Sequence, residues 1–130
     1  MLQRVEVVAG ILYDGAKLLI AQRREEKFCH KWEFPGGKTE QGETPELALH
    51  RELKEELNVE TSGFEHFCDS EVQIGHKLIS LTTFKVESFS GDLEMNVHQD
   101  LRWVLPAELA DFEFLEADIP VVEKLRLKLK

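Results

Sequence analysis

Three glutamates lie within five residues, in the stretch RELKEEL at positions 51–57. On a helix, Glu52, Glu55 and Glu56 occupy positions i, i+3 and i+4, which share one face. Like charges at this spacing oppose helix formation by about 0.2–0.5 kcal/mol per pair, and Lys54 lies off that face. The cluster therefore predicts either a solvated acidic face or a positive partner bound to it.

A glycine-rich loop precedes this cluster, with Gly36, Gly37 and Gly42 in the sequence PGGKTEQGE. Glycine lets a backbone approach other groups closely and present its carbonyl oxygen. Mg²⁺ prefers oxygen ligands, often one or two carboxylates together with substrate phosphates. Carboxylates beside such a loop are compatible with a Mg²⁺ platform for a phosphate substrate, but Glu-rich helices are common, so the cluster alone favours a solvated helix face.

The segment TPELALHRELKEEL has the signals of the helix that carries the cluster. Thr44 suits the N-cap, Pro45 suits the first helical position, and Asn58 tolerates the left-handed conformation that often ends a helix. A leucine at every fourth position forms an apolar stripe that faces a sheet. Glu52 and Glu56 lie about 100° around the axis from the neighbouring leucines, beside the stripe rather than opposite it. The stripe consists of Leu49, Leu53 and Leu57.

The rest of the chain is rich in strands, and helices separated by strands predict an α/β fold with a mixed sheet. Asp14-Gly15 is a hairpin turn signal between two strands, and Gly75 marks a second turn between strands within 64–89. Further predicted elements are a loop at 27–43, a strand at 101–104 and helices at 106–109 and 120–129.

Composition excludes several classes of protein. The 130 residues suit one domain, 1–130, and a net charge of −9 argues against binding a nucleic-acid polymer. Cys29 and Cys68 are too few for a disulfide scaffold, which favours a reduced, cytoplasmic protein. The sequence MLQRVEVVAG has no signal-peptide pattern, and no stretch approaches the length of a membrane span.

The spacing of the charged residues resembles the Nudix box. Gly37, Glu43 and the Arg-Glu-x-x-Glu-Glu core at 51–56 stand at the intervals of that motif. Asn58 departs from it, because the family usually has glycine there, although asparagine also accepts a left-handed helix end. Similarity to the MutT-like branch extends through the stretches VVAGIL, LLIAQRR, WEFPGGK, HQDLRWV and EADIPVVEKL.

The resemblance implies a Nudix fold, an α/β/α sandwich around a mixed sheet. It also implies Mg²⁺- or Mn²⁺-dependent hydrolysis of a nucleoside triphosphate to the monophosphate and pyrophosphate, by a monomer or homodimer that scavenges modified nucleotides. The alternatives are a non-catalytic Nudix domain that senses a nucleotide or metal, and hydrolysis of another nucleoside diphosphate derivative such as ADP-ribose. Retention of every box carboxylate in 43–56 favours the enzyme.

By position in the box, the resemblance makes Glu52, Glu55 and Glu56 metal ligands, with the carbonyl of Gly37 as a neutral partner. Glu52 is the leading candidate to take the proton from the attacking water. These four residues form the predicted metal site.

Five further residues have predicted supporting roles. Arg51 is expected to orient a carboxylate, with Glu43 as the candidate partner, and a surface ion pair is the alternative. Lys38, together with Arg23 or Arg24, is expected to contact phosphate oxygens, and for the arginines solvent exposure is an equal alternative.

The late loop departs from the family pattern, because Val97 stands where many MutT-like proteins have a glutamate. Glu94 and Asp100 are near enough in sequence to substitute for it. His98 is a candidate base or phosphate donor, although a single loop histidine is more often structural.

Base recognition is predicted at two positions. Phe34 is a candidate to pack against a base, with a core position as the alternative. Asp118 occupies a late position where MutT has asparagine and cytidine-specific members have aspartate. An ionised carboxylate only accepts hydrogen bonds, which suits the exocyclic amine of cytosine, whereas a protonated one also donates. Capping of the following helix is the alternative role for Asp118.

Overall fold

The sheet joins segments that are far apart in the sequence, because a strand from the second half of the chain pairs with the N-terminal strand. The computed structural model describes residues 2–24 and 30–127. Within them, seven strands form one mixed sheet. They are β1 (Gln3–Asp14), β2 (Lys17–Arg23), β3 (Trp32–Glu33), β4 (Gly36–Lys38), β5 (Glu60–Ile74), β6 (Lys77–Ser90) and β7 (His98–Val104).

Strand β1 organises this sheet by pairing on both sides. Its residues 3–12 run parallel to residues 77–86 of β6, and β6 is paired antiparallel to β5 at the edge. On its other side, β1 is antiparallel to β4 and, at its end, to β2. Strand β2 in turn pairs with β3 and β7. The predicted mixed sheet is confirmed.

Helix α1 (Pro45–Leu57) forms where its caps predict it. The Thr44 side chain accepts a hydrogen bond from the Leu47 N–H, and Asn58 ends the helix with φ 59° and ψ 38°. Helix α2 (Ile119–Leu127) follows two short 3₁₀ helices, at Pro106–Asp111 and Glu116–Asp118. None of the helices in the described ranges is long and apolar enough to cross a bilayer.

Two apolar clusters hold the helices on opposite faces of the sheet. Leu49, Leu53 and Leu57 of α1 are fully buried against alternate residues of β1, including Val8 and Leu12. The other cluster packs α2 against the intervening residues of β1, as expected from the two-residue period of a strand. It contains Ile11, Phe34, Phe114, Val121 and Leu125. This is the predicted α/β/α sandwich.

The predicted loop at 27–43 is wrong in part. Trp32–Glu33 and Gly36–Lys38 are short strands, because each finds a partner distant in sequence: β3 pairs with β2, and β4 pairs with β1. The strand predicted at 101–104 begins earlier, at His98, and the helix at 106–109 is a longer 3₁₀ helix. Residues 25–29, which include Cys29, and residues 128–130 lie outside the described ranges.

Candidate active site

Glu52 and Glu56 converge at one edge of α1, where the helix faces the loop that precedes it. The side chain of Glu52 is only 15% exposed and that of Glu56 only 10% exposed, although both carry carboxylates. Glu52 and Glu56 are close enough to hydrogen-bond to each other. The leucine stripe fixes this arrangement, since burying it against the sheet leaves Glu52 beside Gly37 of the preceding loop and Glu56 buried.

Two adjacent glycines let the loop reach this edge. A Cβ at Gly36 would overlap the carbonyl of Val8, so that strand β4 could not lie against β1. A Cβ at Gly37 would overlap the carboxylate of Glu52. The pair therefore brings the loop backbone into contact with both the sheet and a box carboxylate.

Arg51 neutralises much of the acidic face. Its Nε and Nη2 lie 2.8 and 2.9 Å from the two carboxylate oxygens of Glu43, so the predicted contact is present and bidentate. Nη2 also donates to the carbonyl of Lys38, and Nη1 donates to Glu52 at 2.9 Å. This clasp lowers the pKa of Glu43 to about 2, chiefly through the hydrogen bond from Arg51 and then through the Glu40 N–H. Arg51, a residue of the same helix, therefore supplies part of the positive charge that offsets the glutamates.

Glu55 does not join Glu52 and Glu56. Its side chain is 59% exposed and lies 3.4 Å from Arg51, on the solvent side of the guanidinium. Lys54 lies off the face, as predicted, and pairs with Glu60. Accordingly, no three acidic, histidine or cysteine side chains within 2–24 and 30–127 form a ready-made metal site. Glu55 would have to rotate away from Arg51 to act as the third predicted ligand.

Glu56 has the environment that fits a cation. Burial raises the pKa of its carboxyl well above the ordinary value, and the hydrogen bond with Glu52 and the charge of Glu33 raise it further. A hydrogen bond from the Gly36 N–H acts in the opposite direction and lowers this pKa. Its Oε1 is buried and has no hydrogen-bond partner among the described atoms. An uncompensated buried carboxylate is costly, and a bound hard cation removes that cost. Glu52 and Glu56, with the adjacent backbone of Gly37, thus supply a donor set suited to Mg²⁺ or Mn²⁺.

His98 and Glu33 complete the inner wall of the site. His98 is almost fully buried at the start of β7, with Nε2 2.8 Å from Glu33 Oε2 and 3.9 Å from Glu56 Oε1. Because a carboxylate only accepts, Nε2 carries the proton of this hydrogen bond. Of the possible substitutes for the carboxylate absent at Val97, Asp100 pairs with Arg102, and Glu94 is exposed.

The cations predicted to contact phosphate differ in their surroundings. Arg23 is half-buried and pairs with Glu33 Oε1 at 3.1 Å, whereas Arg24 is exposed and donates to the carbonyl of His98. Lys38 is exposed beside the loop glycines. Contact of any of these cations with phosphate stays a prediction.

Asp118 and Phe34 lie together on the α2 side of the sheet. Asp118 is 5% exposed, and burial raises the pKa of its carboxyl, with a further contribution from the charge of Glu33. The Phe34 N–H and the charge of Arg23 oppose this rise. The Phe34 ring is 2% exposed and stacks on Phe114, so it has the core position that was the alternative to base packing.

Glu33 is the residue that sequence reasoning missed. Its charge affects both Glu56 and Asp118, and its two oxygens contact Arg23 and His98. It therefore lies between the predicted metal site and the predicted base site. The available signal was an acidic residue between Trp32 and Phe34, two aromatic residues typical of a buried segment.

Comparison with known proteins gives one consistent family. The NUDIX domain model matches residues 3–125. CTP pyrophosphohydrolase from Escherichia coli is 37% identical over 123 residues, which cover 94% of this chain and 91% of that protein. The 8-oxo-dGTP diphosphatase of Escherichia coli is 32% identical, with 96% and 98% covered. The solution structure of the Escherichia coli ORF135 protein has a TM-score of 0.89 and 35% identity, and covers 97% of this chain and 91% of its own.

Proposed function

The chain belongs to the NUDIX domain family as a MutT-like hydrolase, and we propose that it is a Mg²⁺-dependent nucleoside triphosphate pyrophosphohydrolase. The reaction consumes one water and breaks one phosphoric anhydride bond, giving a nucleoside monophosphate and pyrophosphate. The proposed role is removal of modified nucleotides, by a single domain in the cytoplasm.

The observation that carries this proposal is the convergence of Glu52 and Glu56 beside Gly37, with the buried Glu56 Oε1 left without a hydrogen-bond partner among residues 2–24 and 30–127. A divalent cation bound there would offset phosphate charge and make the attacking water more acidic. Glu52 is the proposed acceptor of the water proton, and Arg51 holds it in place by the hydrogen bond from Nη1. Arg51 is itself fixed by Glu43, which makes both of them positioning residues in this proposal.

For the substrate, we propose a cytidine-type triphosphate in preference to 8-oxo-dGTP. Support comes from 37% identity to a CTP pyrophosphohydrolase, against 32% to an 8-oxo-dGTP diphosphatase. Asp118 is the proposed acceptor for the cytosine amine. Because burial favours its protonated form, which also donates, the aspartate by itself does not exclude oxidised guanine.

Pyrophosphate release from a panel of nucleotides tests the proposal. CTP, dCTP, 5-modified dCTP and 8-oxo-dGTP are compared at low concentration and ranked by kcat/KM, with Mg²⁺ and with EDTA, and hydrolysis of ADP-ribose, which releases no pyrophosphate, is followed separately by formation of AMP. We expect release of pyrophosphate from a triphosphate in Mg²⁺ and none in EDTA. Full activity in EDTA would refute metal dependence, and nucleotide binding without turnover would favour a sensing domain.

A further inference from the structure

The loop between β6 and β7 closes the C-terminal end of α1. The last four carbonyls of a helix have no partner within the helix. Here the Lys54 carbonyl accepts from the Asn58 N–H at 3.0 Å, as is usual at a left-handed helix end. The other three carbonyls, which belong to residues 55–57, accept from Glu94 and Asn96 of this loop.

Asn96 makes two of these three bonds. Its Nδ2 donates to the carbonyl of Glu55 at 3.1 Å, and its backbone N–H donates to the carbonyl of Glu56 at 3.2 Å. The third bond runs from the Glu94 N–H to the carbonyl of Leu57 at 2.9 Å. Asn96 is therefore attached to the backbone of two successive box glutamates.

The start of β7, which directly follows this loop, approaches the carboxylate of Glu56. His98 follows Asn96 by two residues, and its Nε2 lies 3.9 Å from Glu56 Oε1. Glu56 is thus held at its carbonyl by Asn96 and approached at its carboxylate by His98. Val97, between them, supplies no ligand, so this loop acts on the box glutamates through hydrogen bonds rather than through a carboxylate of its own.

We propose that Asn96 is a positioning residue, which fixes the backbone of the last turn of α1, so that Glu56 stays at the site and Glu55 can reach a shared divalent cation by a side-chain rotation alone. This inference rests on the proposed function. Fraying of the last turn would let both side chains move, because a helix end without caps is held by few bonds. Fixing that turn matters most for Glu55, whose carboxylate is exposed and must turn from Arg51 to reach a cation.

Four single variants test this role. Asn96→Ala and Asn96→Leu remove the side-chain donor without adding charge, and Asn96→Gln keeps an amide donor. Met95→Ala is the matched control, since Met95 is an exposed neighbour in the same loop. The readouts are Mn²⁺ affinity without nucleotide, by electron paramagnetic resonance of free Mn²⁺, then kcat and KM in Mg²⁺, and Tm.

We expect Asn96→Ala and Asn96→Leu to bind Mn²⁺ roughly three- to tenfold more weakly, the range expected for loss of one hydrogen bond. Their kcat at limiting Mg²⁺ should fall in parallel, while KM for the nucleotide stays near the wild-type value and Tm falls only slightly, by the loss of the same hydrogen bond in the metal-free protein. Asn96→Gln should bind Mn²⁺ more tightly than either, and Met95→Ala should match the wild type.

The outcomes separate the two proposals. Wild-type protein that neither binds Mn²⁺ nor releases pyrophosphate would overturn the proposed function, and the role of Asn96 with it. Active wild-type protein whose Mn²⁺ affinity is unchanged in Asn96→Ala and Asn96→Leu would overturn only the positioning role. A fall in Tm without a change in Mn²⁺ affinity would make Asn96 a purely structural cap, which also contradicts the proposal.

Discussion

The carboxylate of Glu52 occupies the space into which a Cβ at Gly37 would project. The neighbouring Gly36 meets a different obstacle, the backbone carbonyl of Val8. A carboxylate at the end of a flexible side chain can move aside, whereas a carbonyl within a paired strand cannot. A side chain at Gly37 would therefore displace Glu52, the proposed proton acceptor, whereas a side chain at Gly36 would disturb the pairing of β4 with β1.

Substituting each glycine with alanine should separate these effects. We expect Gly37→Ala to fold with a Tm close to that of the wild type and to lose more than about tenfold in kcat, because Glu52 is displaced. Gly36→Ala should instead lower Tm strongly by separating β4 from β1. Thermal unfolding and steady-state kinetics measure both. A Gly37→Ala enzyme with unchanged kcat would show that Glu52 need not lie against the loop.

Removing ligand charge should stop turnover without unfolding the protein. We expect Glu55→Gln and Glu56→Gln each to lower kcat by well over about tenfold in Mg²⁺, since an amide is a weaker ligand for a hard cation. Glu46→Gln, an exposed acid in the first turn of the same helix, is the control and should retain activity. Near-normal turnover in both box variants would contradict the metal site.

The Arg51–Glu43 clasp should make stability depend on pH in the acidic range. The pKa of Glu43 is lowered to about 2 from an ordinary 4.5, chiefly by the hydrogen bond from Arg51. A lowered pKa stabilises the folded state above the unfolded-state value, and that stabilisation is lost as pH falls from about 4.5 toward 2. The Tm advantage of wild type over Glu43→Gln should therefore shrink across this window.

Calorimetric scans between pH 7 and pH 3 measure that difference. Glu123→Gln, an exposed acid on α2, is the control and should follow the wild type at every pH. A Tm difference between wild type and Glu43→Gln that stays constant with pH would mean that the charge of Glu43 in its ion pair with Arg51 contributes nothing to stability.

Asp118 should give the opposite pH dependence. Burial raises the pKa of its carboxyl, so the folded protein retains a proton that the unfolded chain loses as pH rises above about 3.8. Wild-type stability therefore falls with rising pH relative to Asp118→Asn, which keeps an acceptor for the Phe34 N–H and does not titrate. We expect the Tm of the variant, minus that of the wild type, to increase from pH 4 to pH 8. A difference that decreases would contradict the raised pKa.

The same variant tests base recognition. In the proposed complex Asp118 accepts from the cytosine amine, and a mismatched polar contact in a desolvated pocket costs about 1–3 kcal/mol. Asp118→Asn should therefore lower kcat/KM for CTP relative to 8-oxo-dGTP by about tenfold or more. Side-by-side ranking of both substrates measures this, and an unchanged ranking would assign specificity to other groups.

Much of the fold follows from signals that are local in the sequence. The Thr44 cap, Pro45 and the leucine stripe placed α1, and Asp14-Gly15 placed the first hairpin, because caps and turns depend on a few adjacent residues. The same stripe put Glu52 and Glu56 at the edge of the buried face. Box spacing then identified the chemistry, since side chains on a single helix have fixed relative positions.

Contacts between distant segments were decided only by the tertiary structure. Glu33 meets His98 across 65 positions of sequence, and Asn96 meets Glu55 across 41. No local pattern encodes such pairings, because they depend on how β1, β6 and β7 assemble. Burial is also a tertiary property: it separates the nearly enclosed Glu56 from the exposed Glu55, although the two are adjacent in the sequence. The sequence thus determined which carboxylates share one side of α1, while packing decided which of them are desolvated and which partners hold them.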